Sequence, residues 1–457
     1  MAAPHSSIPP SLQPGGPLAL TLSELAVGGE AVGRLPDGRV VFVPGGAPDE
    51  QAEIALTATH RSYARGELLR VWSASPQRVA PPCPLAAGLA AQSPGATASG
   101  AACGGCPLMH VARPAQLQAK QEWVRRAVRH SGAEVLPILA PAPPLGYRVR
   151  ARLLVRAGRL GFASARSHHG VPVARCPVLA PALAAVLLGE GPAIAAALGE
   201  GGALAGLVGG EEAAPVVQLA IELAPGGHAA AVRAWLQQLL RAGRIAGATL
   251  VGPALRPELF GAAAVNLGEG AAELGPLWAS ADGFAQASRA GHEVLPRVVG
   301  ELVGAPAAGG RWPRLVELYA GSGNLTRALR GRADYILAIE GDTGAAARLR
   351  RLLAESSPDA TQVEVVSAPV ERALAARAGT CFDVAVLDPP RAGARAALAA
   401  LTRLAVRRVV YVSCDAMTLG RDLMELRAAG LRPRSVQPLD LMPHTAQVEC
   451  VAVLDAP

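Results

Sequence analysis

From about residue 311 onward, short apolar runs recur between stretches compatible with helices. They lie at 315–318, 335–339, 363–366, 384–387 and 409–412, and two more, at 436–441 and 448–454, are separated by a short turn. Strands that alternate with helices pack as βα units on a parallel sheet. The last two strands, with no helix between them, extend such a sheet in the antiparallel sense. Residues 281–457 are therefore expected to form a doubly wound α/β sheet, Rossmann-like, with an antiparallel end.

The N-terminal part reads differently. Residues 1–16 are rich in Pro, Ser and Gly and are expected to be a disordered tail. Over 17–74, alternating or β-branched runs at 18–22, 39–43, 53–56 and 66–71 are divided by Gly, Pro and Asp turns. That is the pattern of a small β-barrel. A central α/β region, 75–280, follows. It contains an Ala/Ser/Gly-rich insertion after Cys83, a helix over 114–130, basic strands over 146–178, and an Ala-rich stretch in which one strand, at 215–223, stands out.

Composition narrows the function classes. The chain has 457 residues, is 51% hydrophobic and 17% charged, and carries a net charge of +7. No run of eighteen uncharged residues has the Leu/Ile/Phe/Val density of a membrane span, and the N-terminus lacks a basic start before an apolar core. A soluble, cytoplasmic, monomeric protein is expected. The basic charge is compatible with a polyanionic partner. However, Lys120 is the only lysine in a chain rich in Ala, Gly, Pro and Arg, so base composition accounts for the charge equally well.

The turn after the first C-terminal strand reads Glu317-Leu318-Tyr319-Ala320-Gly321-Ser322-Gly323-Asn324. Gly321 and Gly323 let backbone approach a ligand closely. The next strand ends in Glu340, and an acid there can hold a ribose diol. With no full pyrophosphate fingerprint, this spacing favours S-adenosylmethionine over NAD. A glycine turn beside a solvated acid is the plainer alternative. Strand four ends in Asp388-Pro389-Pro390-Arg391, strand five in Ser413-Cys414, and the last strand begins near Glu449. Ligands bind at the carboxyl edge of open α/β sheets, so Asp388, Cys414 and Glu449 can converge there. From its strand alone, Cys414 is equally a small apolar filler or a nucleophile.

The motifs LYAGSGNLT, IEGD, LDPPRAG, YVSCDAMTLGRDL and MPHTAQVE, in that order, resemble the motif set of the RNA uracil-5-methyltransferases. The branch that modifies 23S rRNA is the most similar. The N-terminal β region resembles that family's TRAM domain, an OB-like barrel. The resemblance implies S-adenosylmethionine as methyl donor and RNA as partner, 23S rRNA above tRNA. It implies Cys414 as nucleophile and Glu449 as general base. Tyr319, Asn324 and Glu340 would hold the methyl donor, and Asp388 the flipped base or the cofactor. Gln286, in GFAQAS, would line the same pocket. The chain departs from the family pattern at Ser288, Asp415 and Gln447, where Asn, Asn and His are usual, and at 367–369, where an acid is missing.

There are seven cysteines, an odd number that argues against a disulfide framework. Cys83, Cys103, Cys106 and Cys176 form a one-two-one pattern. Four thiolates suit a [4Fe–4S] cluster or zinc, and only one C-x-x-C pair is present where a zinc ribbon offers two. The resemblance implies the [4Fe–4S] cluster, with Cys83 set farther from the pair than the family has it. Arg148, Arg150, Arg152, Arg156, Arg159 and Arg166, together with the barrel, would form the RNA surface. Two other readings remain open: an RNA-binding or assembly protein carrying an inactive methyltransferase domain, and a cytosine-5 methyltransferase. The intact Cys414, Glu449 and Asp388 oppose the first, and the order of Cys before PHT and VE opposes the second.

Overall fold

Five strands close the first sheet on itself: β1 (Pro17–Leu25), β2 (Ala31–Arg34), β3 (Val40–Val43), β4 (Gln51–Thr59) and β5 (Tyr63–Ser73). They form a barrel in the order β1-β2-β3-β5-β4. Leu22, Val41, Val43, Ile54 and Leu56 are buried inside it, as the two-residue period of each strand requires. Closure leaves no strand edge unpaired. The computed structural model describes residues 16–87, 102–165, 167, 169–253, 255–268, 274–356, 360–377, 379–404 and 406–457. The tail expected to be disordered, apart from Gly16, most of the Ala/Ser/Gly insertion, and Arg166 lie outside the described residues.

The described residues divide into two compact units. The barrel's unit runs to Trp123 and includes Phe162–Val171 and His444–Ala446. Leu108 and Trp123, the latter in helix α1 (Arg113–Val128), complete its core. The Trp123 indole N–H donates to the Leu25 carbonyl at 2.8 Å. Glu50 is fully buried and is compensated twice, by the Ala47 N–H at 2.8 Å and by an ion pair with Arg78. A buried carboxylate is tolerated only with such partners.

The second unit comprises Val124–Gly161, Pro172–Pro443 and Gln447–Pro457. After the two-residue strand β6 (Glu134–Val135) come β7 (Arg150–Arg156), β8 (Arg159–Ala163) and the short β9 (Gly170–Pro172). Then follow β10 (Ala203–Gly209), β11 (Val216–Glu222), helix α4 (Ala229–Arg241), β12 (Gly247–Gly252) and β13 (Leu255–Gly261). Of these, β7, β8 and β10 to β13 lie in the order β13-β12-β11-β10-β7-β8. The sequence reading isolated one strand in this Ala-rich stretch, at 215–223, whereas among the described residues this sheet alone takes four from it. All seven residues of β10 are buried, so it needs no polar alternation, and its Ala and Gly residues give no β-branched signal.

Between β9 and β10 a helical run, Pro181–Leu198, begins as α2 (Pro181–Ala184) and ends as α3 (Ala195–Leu198). It is 18 residues long with mean hydropathy 1.6, long and apolar enough to cross a membrane by length and composition. The sequence reading did not expect such a run. Its Leu183, Leu187, Ile194 and Leu198 are buried. A Cβ on Gly206 of β10 would stand 2.7 Å from Leu183, so that glycine is what lets this run lie against the sheet.

After β14 (Val265–Asn266), β15 (Trp278–Ala279) and α5 (Arg289–Val303), the regular pattern begins. It comprises β16 (Trp312–Leu318), α6 (Thr326–Leu329), β17 (Ala333–Glu340), α7 (Thr343–Glu355), β18 (Gln362–Ser367), α8 (Val370–Ala375), β19 (Val384–Leu387), α9 (Arg395–Leu401), β20 (Arg408–Ser413), α10 (Ala416–Ala428), β21 (Arg432–Leu439) and β22 (Glu449–Asp455). The sheet order is β18-β17-β16-β19-β20-β22-β21-β6. The first five strands are parallel, and β22 runs antiparallel to both β20 and β21. This is the doubly wound sheet with an antiparallel end expected from the sequence. Val316, Leu318, Leu337, Ile339, Leu387, Val409 and Tyr411 share one core cluster with Leu398, Leu419 and Leu423 of the helices. Coverage on both faces is why these strands read as unbroken apolar runs.

Candidate active site

The register of the sheet brings the chemistry-bearing residues to one edge. Leu318 pairs with Leu387, and Leu387 with Tyr411. The residues that follow, Tyr319, Asp388 and, slightly farther on, Cys414, therefore leave the sheet on the same side. Ser413 pairs with Cys450. Since β20 and β22 are antiparallel, the next step along each strand sets Cys414 opposite Glu449. Cys414 is half-buried and Glu449 is 5% exposed. Asp415, directly after Cys414, caps α10 by accepting from the Thr418 N–H at 2.8 Å. An acid at this position performs the capping that an Asn would.

At the turn after β16, Tyr319, Gly321 and Gly323 all have left-handed backbone, with φ of 62°, 58° and 94°. Gly323 is required for packing: a Cβ there would stand 2.6 Å from Leu349 of α7. Gly321 has open space where its Cβ would be. The Gly321 N–H donates to Glu340 Oε2 at 2.7 Å, and the Asp342 N–H to Oε1 at 2.6 Å. Glu340 thus ties the ends of β16 and β17 together, and each oxygen keeps a lone pair for a further donor. The open face of Gly321 beside an acid at the end of β17 fits an adenosyl group bearing a ribose diol. Asn324 Nδ2 donates to the Gly291 carbonyl of α5 at 2.9 Å. Gln286 lies against the same glycine, near enough that a Cβ on Gly291 would meet it at 2.6 Å.

The electrostatics oppose negative charge. Burial pushes Asp388 up to about 7. Burial, reinforced by Asp388, holds Glu449 well above the usual carboxylate range, with Arg391 pulling it down. Burial likewise raises the Cys414 thiol, and Glu449 and Asp388 add to this. The charge of Arg391 lowers it. Acids crowded in a desolvated site cannot all ionise, and Arg391 is the cation that acts on both Cys414 and Glu449. The sequence reading quoted Arg391 only as part of its motif. Its signal was a basic residue immediately after two prolines at the carboxyl edge of the sheet.

Glu317, at the end of β16, is 1% exposed. Its Oε2 accepts from the Thr326 hydroxyl at 2.7 Å, while Oε1 has no hydrogen-bond partner among the described residues. Burial, followed by the repulsion of Asp388 and Glu340, lifts it to about 8 from an ordinary 4.5. The folded state therefore holds this proton more tightly than the unfolded chain. The associated stabilisation is full below pH 4.5 and is lost as pH rises through 8. Over the whole window it is on the order of 5 kcal/mol. Glu317→Gln does not titrate, so its melting temperature is expected to gain on the wild type between pH 5 and pH 9. Thermal melts across that range check this, and a gap that does not change with pH contradicts it.

The four cysteines proposed as ligands have half-buried side chains. Cys83 and Cys103 lie on turns joined by backbone: the Ala86 N–H donates to the Cys83 carbonyl at 3.2 Å and the Cys103 N–H to Leu85 at 2.9 Å. Cys176 lines a cavity of about 380 Å³ with Arg175, Leu179 and Leu188. The donor type suits a cluster or zinc, but among the described residues no group of three or more His, Cys, Asp or Glu is arranged to hold a metal ion. Of the basic residues, Arg152 forms an ion pair with Glu222, and Arg150 donates to the Gly283 carbonyl at 2.7 Å. Part of that charge is therefore already engaged within the fold.

Two family models match the chain: the TRAM domain over residues 18–69 and the tRNA (Uracil-5-)-methyltransferase model over residues 306–456. A 23S rRNA (uracil(1939)-C(5))-methyltransferase RlmD from Edwardsiella ictaluri is 32% identical over 460 residues, which cover 96% of each chain. The protein of the same description from Klebsiella pneumoniae subsp. pneumoniae is 31% identical, covering 96% of this chain and 95% of its own. Among solved structures, the Pyrococcus abyssi tRNA (uracil-54, C5)-methyltransferase in complex with S-adenosyl-L-homocysteine matches with a TM-score of 0.70. It is 19% identical and covers 96% of this chain and 100% of its own.

Proposed function

The chain belongs to the RNA uracil-5-methyltransferase family, and from that premise we propose that it methylates C5 of one uridine in 23S rRNA, with Cys414 as nucleophile and Glu449 as general base. The observation that carries this reading is the pairing of Ser413 with Cys450, which sets a thiol and a buried carboxyl side by side at the sheet edge. The 23S rRNA target rests on the relatives' described substrate.

C5 of uracil is a weak nucleophile. S-adenosylmethionine supplies an electrophilic methyl group when bound at the 319–324 turn and Glu340. The Cys414 thiolate adds to C6, the electron pair of the C5–C6 double bond moves toward O4, and the enolate-like C5 takes the methyl group as its bond to the sulfonium sulfur breaks, the bonding pair leaving on a neutral thioether. Glu449, as carboxylate, then takes the C5 proton. The pair left behind re-forms the double bond as the Cys414–C6 bond breaks and the thiolate departs. Burial makes Glu449 a stronger base than an exposed carboxylate. Asp388 and Gln286 are assigned to the base pocket, and a target in folded RNA must be extruded to enter it.

Cys83, Cys103, Cys106 and Cys176 are assigned as ligands of a [4Fe–4S] cluster, and no step of the reaction passes through it. Iron and acid-labile sulfide in anaerobically purified protein support this assignment; zinc alone replaces it. The function itself is tested by mapping 5-methyluridine in 23S rRNA and tRNA from a deletion strain. One 23S rRNA site is expected to disappear and to return with the wild-type protein. Loss of the T-loop site instead moves the target to tRNA, and no loss from either RNA overturns the reading.

A further inference from the structure

The Arg391 guanidinium is held beside Cys414. Its Nη2 donates to Gln447 Oε1 at 2.8 Å, two residues before Glu449, which the pairing of Ser413 with Cys450 sets opposite Cys414, and its charge favours the Cys414 thiolate. Arg391 follows Pro389-Pro390 after β19, and Gln447 lies in the turn just before β22. The backbone beyond Arg391 is fastened independently: the Ala394 N–H donates to Asp422 Oδ2 and to the Tyr411 hydroxyl, each at 3.1 Å. Gly393 has φ 85°, and a Cβ there would meet Asp422 at 2.5 Å. The loop is thus held while the Arg391 side chain is exposed. A long guanidinium side chain in that setting has many rotamers available, and the acceptor at Gln447 selects among them.

We propose that Gln447 is a positioning residue that holds Arg391 against the Cys414 sulfur, keeping a cation where the thiolate must form. The inference rests on Cys414 being the nucleophile. Three charged groups face that sulfur: Glu449 from β22, Asp388 from the end of β19, and Arg391 from the loop. Two of them oppose the thiolate and one favours it, so a displaced Arg391 leaves the opposition unbalanced. Gln447 stands where relatives are expected to carry His, which also offers an acceptor.

Gln447→Met keeps the side-chain length and removes the acceptor, whereas Gln447→His restores one. Two profiles are read against pH: single-turnover methylation, and iodoacetamide alkylation of Cys414 followed by peptide mass spectrometry. Gln447→Met is expected to move both toward higher pH by about one unit, slowing methylation about tenfold at neutral pH. Affinity for S-adenosylmethionine should not change, and that binding also reports correct folding. Gln447→His is expected to restore both profiles. The double variant with Arg391→Gln should be no slower than Arg391→Gln alone, because the residues act through one contact. Unshifted profiles in a Gln447→Met protein that binds S-adenosylmethionine normally overturn the inference. If instead Cys414→Ser still methylates RNA, the nucleophile assignment beneath it has failed.

Discussion

Replacing Cys414 with alanine is expected to abolish methyl transfer, lowering turnover by about 10⁴-fold or more, as the loss of an enzymic nucleophile does. The reason is chemical: without the thiolate at C6, the uracil ring has no enolate character at C5 and the methyl group has no acceptor. Cys414 is half-buried at a strand end, not packed in the core, so the cost in stability should be about 1 kcal/mol. Binding of S-adenosylmethionine should persist, because the turn proposed to hold it, 319–324, is built by Glu340 and α7. Measuring turnover and cofactor affinity together separates this outcome from misfolding. A Cys414→Ala protein that still methylates would remove the thiolate mechanism.

Glu449→Gln should fail later in the cycle. Thiolate addition and methyl transfer need no base at C5, but release does. Multiple-turnover rate is expected to fall about 10²- to 10⁴-fold, while a covalent protein–RNA species accumulates already carrying the methyl group. There is also a pH signature. Glu449 is one of the groups that hold the Cys414 thiol above its ordinary range, so neutralising it should let the thiol ionise at lower pH. The pH dependence of adduct formation should move toward acid while turnover stays low. Denaturing gels and intact mass across a pH series check both effects. A variant that turns over normally, or that forms no adduct, contradicts the assignment of Glu449.

Much of this site was legible from residue order alone because parallel sheets impose a simple geometry. Each apolar run delivers its last residue to one edge, so Asp388 and Cys414 could be placed together before any coordinates were known. Glu449 was legible because the final strand had to return antiparallel. The barrel was also readable, since Gly and Asp turns divide strands of clear alternation. The central sheet was not: β10 is buried along its whole length and built of Ala, Gly, Leu and Val, so neither period nor propensity marks it. The partner of Arg391 was equally hidden, because Gln447 is 56 positions away and only the return of the chain into β22 brings them together. The bond from the Asn324 amide to the Gly291 carbonyl was hidden in the same way, since the two residues are 33 positions apart.

The central claim is that a covalent bond forms between Cys414 and C6 of a uridine. It is tested most directly by incubating the protein and S-adenosylmethionine with target RNA that carries 5-fluorouridine, then digesting the complex and sequencing the cross-linked peptide. Fluorine cannot leave as a proton, so the reaction should stop at the adduct. The expected product is a nucleotide, methylated at C5, attached to Cys414 and to no other cysteine. An adduct on a different residue, or full methylation of normal RNA with no adduct on the fluorinated one, would contradict it.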